Sequence, residues 1–496
     1  MKTFSHGVTW DPQVQTYLAG ALGVARLAVI SEALARPSLR PTLRVNTLRT
    51  TPAEAIAELQ RRLGDAAAGA RPHPVVPSAV VLPGSGPKQP RYEELCGGRE
   101  VAINRIAGES VLKGADVFSP GLLAVTPGVA AGDLVAVSVA LETKPRNLTR
   151  GTILRPDVSA RLPPRDRLHI GVGRLLEGRS GMFRASEGLA IEMVERVYDI
   201  PPCNGLLRGD AMLQALPCIV AAHALDPQPG WTVLDMCASP GGKTTMIAQL
   251  MGDRGRVIAL DRTRSKVAAV ESLASDLGIS IIDARVADST QLAPPPPGES
   301  EQQRRRRGGR RRGGGGGGAA GGGGAPPDVA DEGADDGAGE AGGAEAGPTP
   351  VNPLPEFGPE SFDAILLDAP CSALGLRPRL LHDWRLAQLH ATAGLQRALL
   401  HSAVHLLRPG GVLVYCTCTI NPGENEGNVR FALDRWQGAL ELEAQPLVLG
   451  GPGIEGPGWL TLGEARLVQR WDPGAAPDDT IGFFVARFRK TASTAA

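Results

Sequence analysis

The sequence has no net charge to spare: 52 Lys and Arg balance 52 Asp and Glu over 496 residues. A uniformly basic nucleic-acid binder is therefore excluded, although an average can hide a local stripe. No apolar run approaches the length of a membrane span, and the opening MKTFSHGVTWDPQ has neither a basic nor an apolar leader region. A soluble, unsecreted chain is expected, cytoplasmic and monomeric. The seven cysteines are odd in number and lack paired C-x-x-C spacing, which argues against a zinc site or a disulfide scaffold. No metal is expected. Two nucleotide-binding signatures are also missing. There is no G-x-G-x-x-G, and a P-loop would need glycine where Cys237 stands, five positions before Gly242 of GGKT.

The length exceeds what one hydrophobic core supports, so several domains are expected. Residues 1–97 read as a helical region packing with the catalytic domain, with a helix over Thr51–Leu63 after the extended LRVNTLR. Residues 98–191 show short apolar alternations broken by glycine and proline (VAINRIAG, GDLVAVSVAL, LHIGVGRLL), the pattern of a small β-barrel. Residues 192–496 alternate strands such as WTVLD, RVIAL, FDAILLD and GVLVYCT with helix-compatible stretches. A doubly wound, Rossmann-like α/β sheet follows, its strands almost continuously apolar because helices cover both faces. Residues 293–355 interrupt this domain with a proline run, the arginines 304–307 and 310–312, and polyglycine. Such a segment buries too little apolar surface to offset its ordering entropy and is expected to be disordered. The local stripe lies elsewhere: Thr143 to Arg184 holds ten Lys or Arg against three acids.

VLDMCASPGGKTT follows a strand and opens a helix, the position at which open α/β sheets bind ligands. Gly241 and Gly242 permit a tight turn and close backbone approach, and a helix start offers unpaired amides to a carboxylate. The loop Cys237, Ala238, Ser239, Pro240, Gly241, Gly242 and Lys243 is thus a cofactor site, Cys237 contributing its backbone. Asp261 ends the next strand, where a carboxylate can accept the hydroxyls of a ribose. Asp288 and Asp368 repeat the placement. Each alone reads as a helix N-cap; three at successive strand ends beside a glycine loop read as ligand groups.

Two cysteines complete the pattern. LLDAPCSALG puts Asp368 and Cys371 at one strand end, and LVYCTCTI puts Cys418 at another. Methylating carbon 5 of a cytosine requires a thiolate that adds at carbon 6, a group to remove the carbon-5 proton, and a donor at the N3 edge. Cys371, Cys418 and Asp368 answer that list, with Lys243 placed to lower a thiol pKa or orient the base. Cys416 reads as packing. Residue chemistry leaves open which cysteine attacks.

CASPGGKTT, LLDAPCSALG and YCTCTINPGENE resemble the motifs of the Sun-domain RNA cytosine-C5 methyltransferases. The resemblance implies S-adenosylmethionine as cofactor, Cys418 of the Thr-Cys pair as nucleophile, and Cys371 of the Pro-Cys pair as the thiol that assists product release. ESVLKGADVFSPGLL resembles a PUA domain, an RNA-binding barrel. Placed ahead of the catalytic domain, it is similar to the family's PUA-containing branch, and that resemblance implies methylation of cytosine 72 in the acceptor stem near the CCA end of tRNA-Cys and tRNA-Thr. Expected RNA contacts are Lys113, Arg174, Arg179 and Arg184 to phosphates, and Phe118 stacking on a CCA base. Two other readings compete: a catalytically idle PUA-containing RNA-binding protein, and a methyltransferase acting on other RNAs.

Overall fold

The computed structural model describes residues 7–141, 148–155, 167–294, 354 and 356–494. The expected insert at 293–355 lies outside these residues except for Ala293, Pro294 and Leu354 at its margins, and the basic stripe is described only in part.

The N-terminal region begins with two short helices, α1 (Pro12–Leu22) and α2 (Val24–Leu34). Asp11 caps α1 by accepting from the amides of Gln13 and Val14. Leu18, Leu22, Leu27 and Ile30 pack on Leu374, Trp384, Leu389 and Ile420 of the catalytic domain. Strand β1 (Thr42–Val45) follows, then α3 (Pro52–Leu63), which starts where its Thr51–Glu54 capping box directs. Strands β2 (Arg71–Pro72) and β3 (Ala79–Val81) pair antiparallel, β3 also pairing β1. The region is thus more than helical: Leu43, Val45 and Val80 are buried against Leu59 of α3, which gives these short apolar runs a core to face.

After α4 (Tyr92–Cys96) comes a second module with strands β4 (Glu100–Ile103), β5 (Val117–Phe118), β6 (Leu122–Val125), β7 (Leu134–Ala140), β8 (Thr152–Ile153), β9 (Arg167–Leu175) and β10 (Leu189–Arg196). Helix α5 (Arg105–Leu112) follows β4, and α6 (Arg179–Arg184) follows β9. The sheet order is β5-β10-β9-β7-β4-β6-β8. Val101, Val137, Val139 and Ile191 form its core, which also takes in Leu380 from the catalytic domain. Strand β10 runs on to Arg196, and Val197, Tyr198 and Ile200 remain in this core.

Strand β11 (Ala211–Leu213) returns to pair with β1. Helix α7 (Leu216–Leu225) leads into β12 (Thr232–Asp235), α8 (Gly242–Leu250), β13 (Arg256–Asp261), α9 (Arg264–Leu277) and β14 (Ile282–Val286). Then come β15 (Phe362–Asp368), α10 (Leu386–Leu406), β16 (Leu407–Thr417), α11 (Glu426–Arg435), β17 (Leu440–Leu442), β18 (Val468–Trp471) and β19 (Phe483–Lys490). The sheet order is β14-β13-β12-β15-β16-β19-β17, with β18 also on β19. Strands β12 to β16 are parallel, and β19 is antiparallel to β16. Alternate residues of β15 enter opposite cores: Ala364 and Leu366 face Ile219 and Met246 of α7 and α8, while Ile365 and Leu367 face Leu399 and Ala403 of α10. Burial on both faces explains why the strands read as unbroken apolar runs. The chain order reverses between β12 and β15, which opens a crevice at their carboxyl ends.

Candidate active site

Helix α8 begins at the crevice. Gly241 sits at φ +107, a left-handed conformation, and a Cβ there would lie 3.3 Å from the Val270 backbone of α9. The loop thereby turns tightly and lays the first amides of α8 open at the strand ends. Asp261 at the end of β13 accepts from the Ser239 amide at 3.1 Å and the Arg262 amide at 2.7 Å. A carboxylate offers about four lone-pair positions, so these two amides do not exhaust it. Asp288 lies beyond β14 and caps a short turn, one oxygen accepting from Thr290 Oγ1 at 2.6 Å. The donor set suits a ligand with a ribose diol, an amine and a carboxylate: acids at the ends of β13, β14 and β15, and open amides on α8.

Lys243, in the first turn of α8, donates to Asp368 at 2.6 Å and lies 5.4 Å over the Phe483 ring. Burial is the largest single influence and pulls its pKa down, but the Asp368 charge and hydrogen bond, together with the nearby Cys218 and Cys416, outweigh it and hold the ammonium well above its ordinary value. Cys371 and Cys418 meet with sulfurs 3.3 Å apart. The four residues expected to carry chemistry therefore converge, from β15, β16 and α8. The Cys418 thiol is pushed well above the usual range, first by its hydrogen bond to Cys371, then by burial and nearby negative charge, with Lys243 opposing. Cys416 lies in the core, its sulfur 3.4 Å from Asp368 Oδ1, so it packs and also touches the acid. Cys237 is held through its amide by Asp235 at 3.3 Å.

Sequence reasoning missed several residues behind these groups. Asp235, at the end of β12, is buried and pushed up to about 7 by burial, although Thr244 Oγ1 donates to it at 2.8 Å. Arg44 on β1 is 1% exposed and holds the start of α8, donating to the Gly242 carbonyl and to Thr245 Oγ1 at 2.9 Å. Burial alone lowers it to about 9. Glu424 and Asn425 lie fully buried behind the cysteines. NPGENE marks a turn in sequence; nothing local says which distant backbone its side chains grip.

The residues expected to meet RNA are spread over the second module. Lys113 follows α5 and is exposed, Phe118 on β5 is 50% exposed, and Arg174 on β9 and Arg184 at the end of α6 are exposed. Arg179 is half-buried and donates to the Gly151 carbonyl at 2.6 Å. Arg150 and Arg179 both lie over the Phe183 ring, at 5.8 and 5.6 Å, an arrangement that sequence reasoning did not single out. The module is bolted to the cysteine loop. Glu109 of α5 accepts from Arg379 at 3.1 Å and from the Leu380 amide at 3.0 Å.

Comparisons with known proteins identify the family. A family model described as 16S rRNA methyltransferase RsmB/F matches residues 222–299 and 351–489, which include Lys243, Asp368 and both paired cysteines. An Arabidopsis thaliana relative named rRNA (cytosine-C(5))-methyltransferase NOP2C is 37% identical, across 97% of this chain and 90% of its own length. The Mus musculus tRNA (cytosine(72)-C(5))-methyltransferase NSUN6 is 34% identical, across 93% of this chain and 90% of its own. Among solved structures, one described as NSun6 from Pyrococcus horikoshii with SFG superposes with a TM-score of 0.71 at 27% identity, covering 97% of this chain and 99% of that one. The chain belongs to the RsmB/F, or Sun-domain, family of S-adenosylmethionine-dependent RNA cytosine-C5 methyltransferases.

Proposed function

We propose that the protein forms 5-methylcytosine in tRNA, at cytosine 72 near the CCA end, through a covalent adduct between Cys418 and carbon 6 of the base. The observation that carries the chemistry is the 3.3 Å contact of two thiols from neighbouring strand ends, beside the Lys243–Asp368 pair. The loop 237–243 with Asp261, Asp288 and Asp368 holds S-adenosylmethionine, which supplies an electrophilic methyl group. Cys418 loses its proton and bonds to carbon 6, while the Asp368–Lys243 pair holds the N3 edge and favours protonation there. The electron pair pushed onto carbon 5 makes that atom the nucleophile. After methylation, Cys371 as thiolate takes the carbon-5 proton, the freed electron pair re-forms the ring double bond, and Cys418 departs as a thiolate. Cys371, in contact with Cys418, assists that departure.

The second module serves as the PUA domain and seats the single-stranded CCA end, with Lys113, Arg174, Arg179 and Arg184 at phosphates and Phe118 available for stacking. Two full-length relatives point to different RNAs, one named for tRNA and one for rRNA, so ribosomal RNA is the second reading. Transfer of labelled methyl from S-adenosylmethionine to tRNA and rRNA transcripts, followed by bisulfite sequencing, decides between them. The proposal expects one protected cytosine at tRNA position 72. Protection confined to rRNA sinks the tRNA reading, and RNA binding without incorporation sinks the enzymatic one.

A further inference from the structure

The two cysteines sit on separate loops, and something must hold their sulfurs at contact distance. Residues on both sides of each cysteine are gripped. Around Cys371, the Pro370 carbonyl accepts from Gln396 Nε2 at 2.9 Å, and the Ser372 amide donates to Glu424 at 2.9 Å. The same Gln396 nitrogen donates to Glu424 at 2.9 Å, and the Ser372 hydroxyl donates to its other oxygen. Asn421 Nδ2 adds a further bond to Glu424 at 2.8 Å. Around Cys418, Thr417 Oγ1 donates to Asn425 Oδ1 at 2.5 Å, and Asn425 Nδ2 donates to the Thr419 carbonyl at 2.9 Å. Ser372 and Thr419, which directly follow the two cysteines, join hydroxyl to hydroxyl at 2.7 Å.

The geometry points to Glu424 and Asn425 as two positioning residues with separate duties: Glu424 fixes the loop of Cys371, and Asn425 fixes the loop of Cys418. They are consecutive in the chain and both are 0% exposed, so each is shielded from solvent beside the loop it holds. Among the described residues Glu424 has no cation as a hydrogen-bond donor; its donors are amides and a hydroxyl. A carboxylate serving only to stabilise the fold would more economically be an apolar side chain, because burying it carries a desolvation cost that neutral donors offset in part. Its placement is explained if the position of one sulfur depends on it. Among the described residues neither side chain hydrogen-bonds to a cysteine sulfur; Glu424 acts through the amide and hydroxyl of Ser372, and Asn425 through the Thr417 hydroxyl and the Thr419 carbonyl.

The inference rests on the proposed roles of Cys418 in attack and Cys371 in release, and it predicts that the two positions fail differently. A displacement of about 1 Å costs up to on the order of 100-fold in rate. Glu424→Gln, nearly isosteric, displaces Cys371 and slows release. Protein–RNA adduct that survives denaturing electrophoresis and vanishes on RNase treatment then accumulates, on the order of 10-fold above wild type. Asn425→Ala displaces Cys418 and slows attack. Turnover falls with no accumulation of adduct, while KM for RNA changes by less than about 2-fold. If either protein fails to fold, Ser372→Ala stands in for the first and Thr417→Val for the second, with the same two expectations.

Identical adduct levels in the two variants overturn the inference, as does accumulation in the Asn425 or Thr417 variant. Cys371→Ala run beside them separates this from the proposed chemistry. If that variant traps adduct and Glu424→Gln and Ser372→Ala do not, the inference alone falls. If Cys371→Ala traps none, the assignment of thiol roles falls and takes the inference with it.

Discussion

Replacing Lys243 by methionine keeps the aliphatic stem and removes only the ammonium, which makes it a clean perturbation of the Lys243–Asp368 pair. The nitrogen lies 2.6 Å from the carboxylate. At an effective dielectric of about 20, that separation corresponds to an attraction of about 6 kcal/mol before desolvation is deducted. Breaking a fully buried pair by removing one partner costs about 3–5 kcal/mol. Here the side chains are 13% and 28% exposed, so water screens part of the charge left behind. A loss of about 2–3 kcal/mol is expected for Lys243→Met, at the low side of that range. Asp368→Asn should cost a similar amount, and the double variant should be more stable than the sum of the two losses by about 2 kcal/mol. Denaturant unfolding reads the stabilities, and labelled methyl transfer reads activity. Because the pair also serves the N3 edge of the base, activity should fall by about 100-fold or more in both single variants and stay low in the double. Activity that recovers together with stability in the double variant would refute a chemical role for the pair.

Three further outcomes follow from the same geometry. The Cys418 thiol is held well above its ordinary pKa while Lys243 stays protonated. The reactive thiolate is therefore the minor form at neutral pH, and below the raised pKa its fraction grows about tenfold per pH unit. Single-turnover rates should climb with pH through the normal thiol range, and a plateau near neutrality would contradict the assignment. At Gly375 a Cβ would lie 2.1 Å from the Gly482 carbonyl oxygen and 2.8 Å from that of Cys418, both backbone atoms. Gly375→Ala should cost about 1–3 kcal/mol by denaturant unfolding and lower turnover, since the strain falls on the Cys418 loop. Arg184→Ala, at an exposed cation of the second module, should weaken RNA binding in a titration and reduce the salt slope by about 1. An unchanged slope would remove Arg184 from the phosphate contacts.

The catalytic sheet was legible because its strands are buried on both faces and end in residues that have no business in a core. FDAILLD and GVLVYCT announce both strand and crevice, and Cys371, Cys418, Asp368 and Lys243 do converge as their positions suggested. The N-terminal sheet was hard to see, since Ala79–Val81 and Ala211–Leu213 are three residues each and pair with β1 from either side, a partner distant in sequence. Arg44, Glu424 and Asn425 escaped for a related reason. Arg44 grips residues 242 and 245 and Glu424 grips Ser372, partners far away in the chain, while Asn425 reaches back to Thr417 and Thr419 across a turn, and no periodicity records such partners. The basic stripe shows the limit of counting charges. Arg167 is spent on Glu100 at 2.7 Å, and Arg179 on a carbonyl, whereas Arg174 and Arg184 stand exposed.

The central claim is that Cys418 forms the bond to the base and Cys371 helps to break it. Incubating Cys371→Ala and Cys418→Ala with substrate RNA and S-adenosylmethionine, then running denaturing gels, tests it most directly. The account predicts an RNase-sensitive band of higher mass for Cys371→Ala and none for Cys418→Ala. The band appearing with Cys418→Ala instead would reverse the roles and contradict the account.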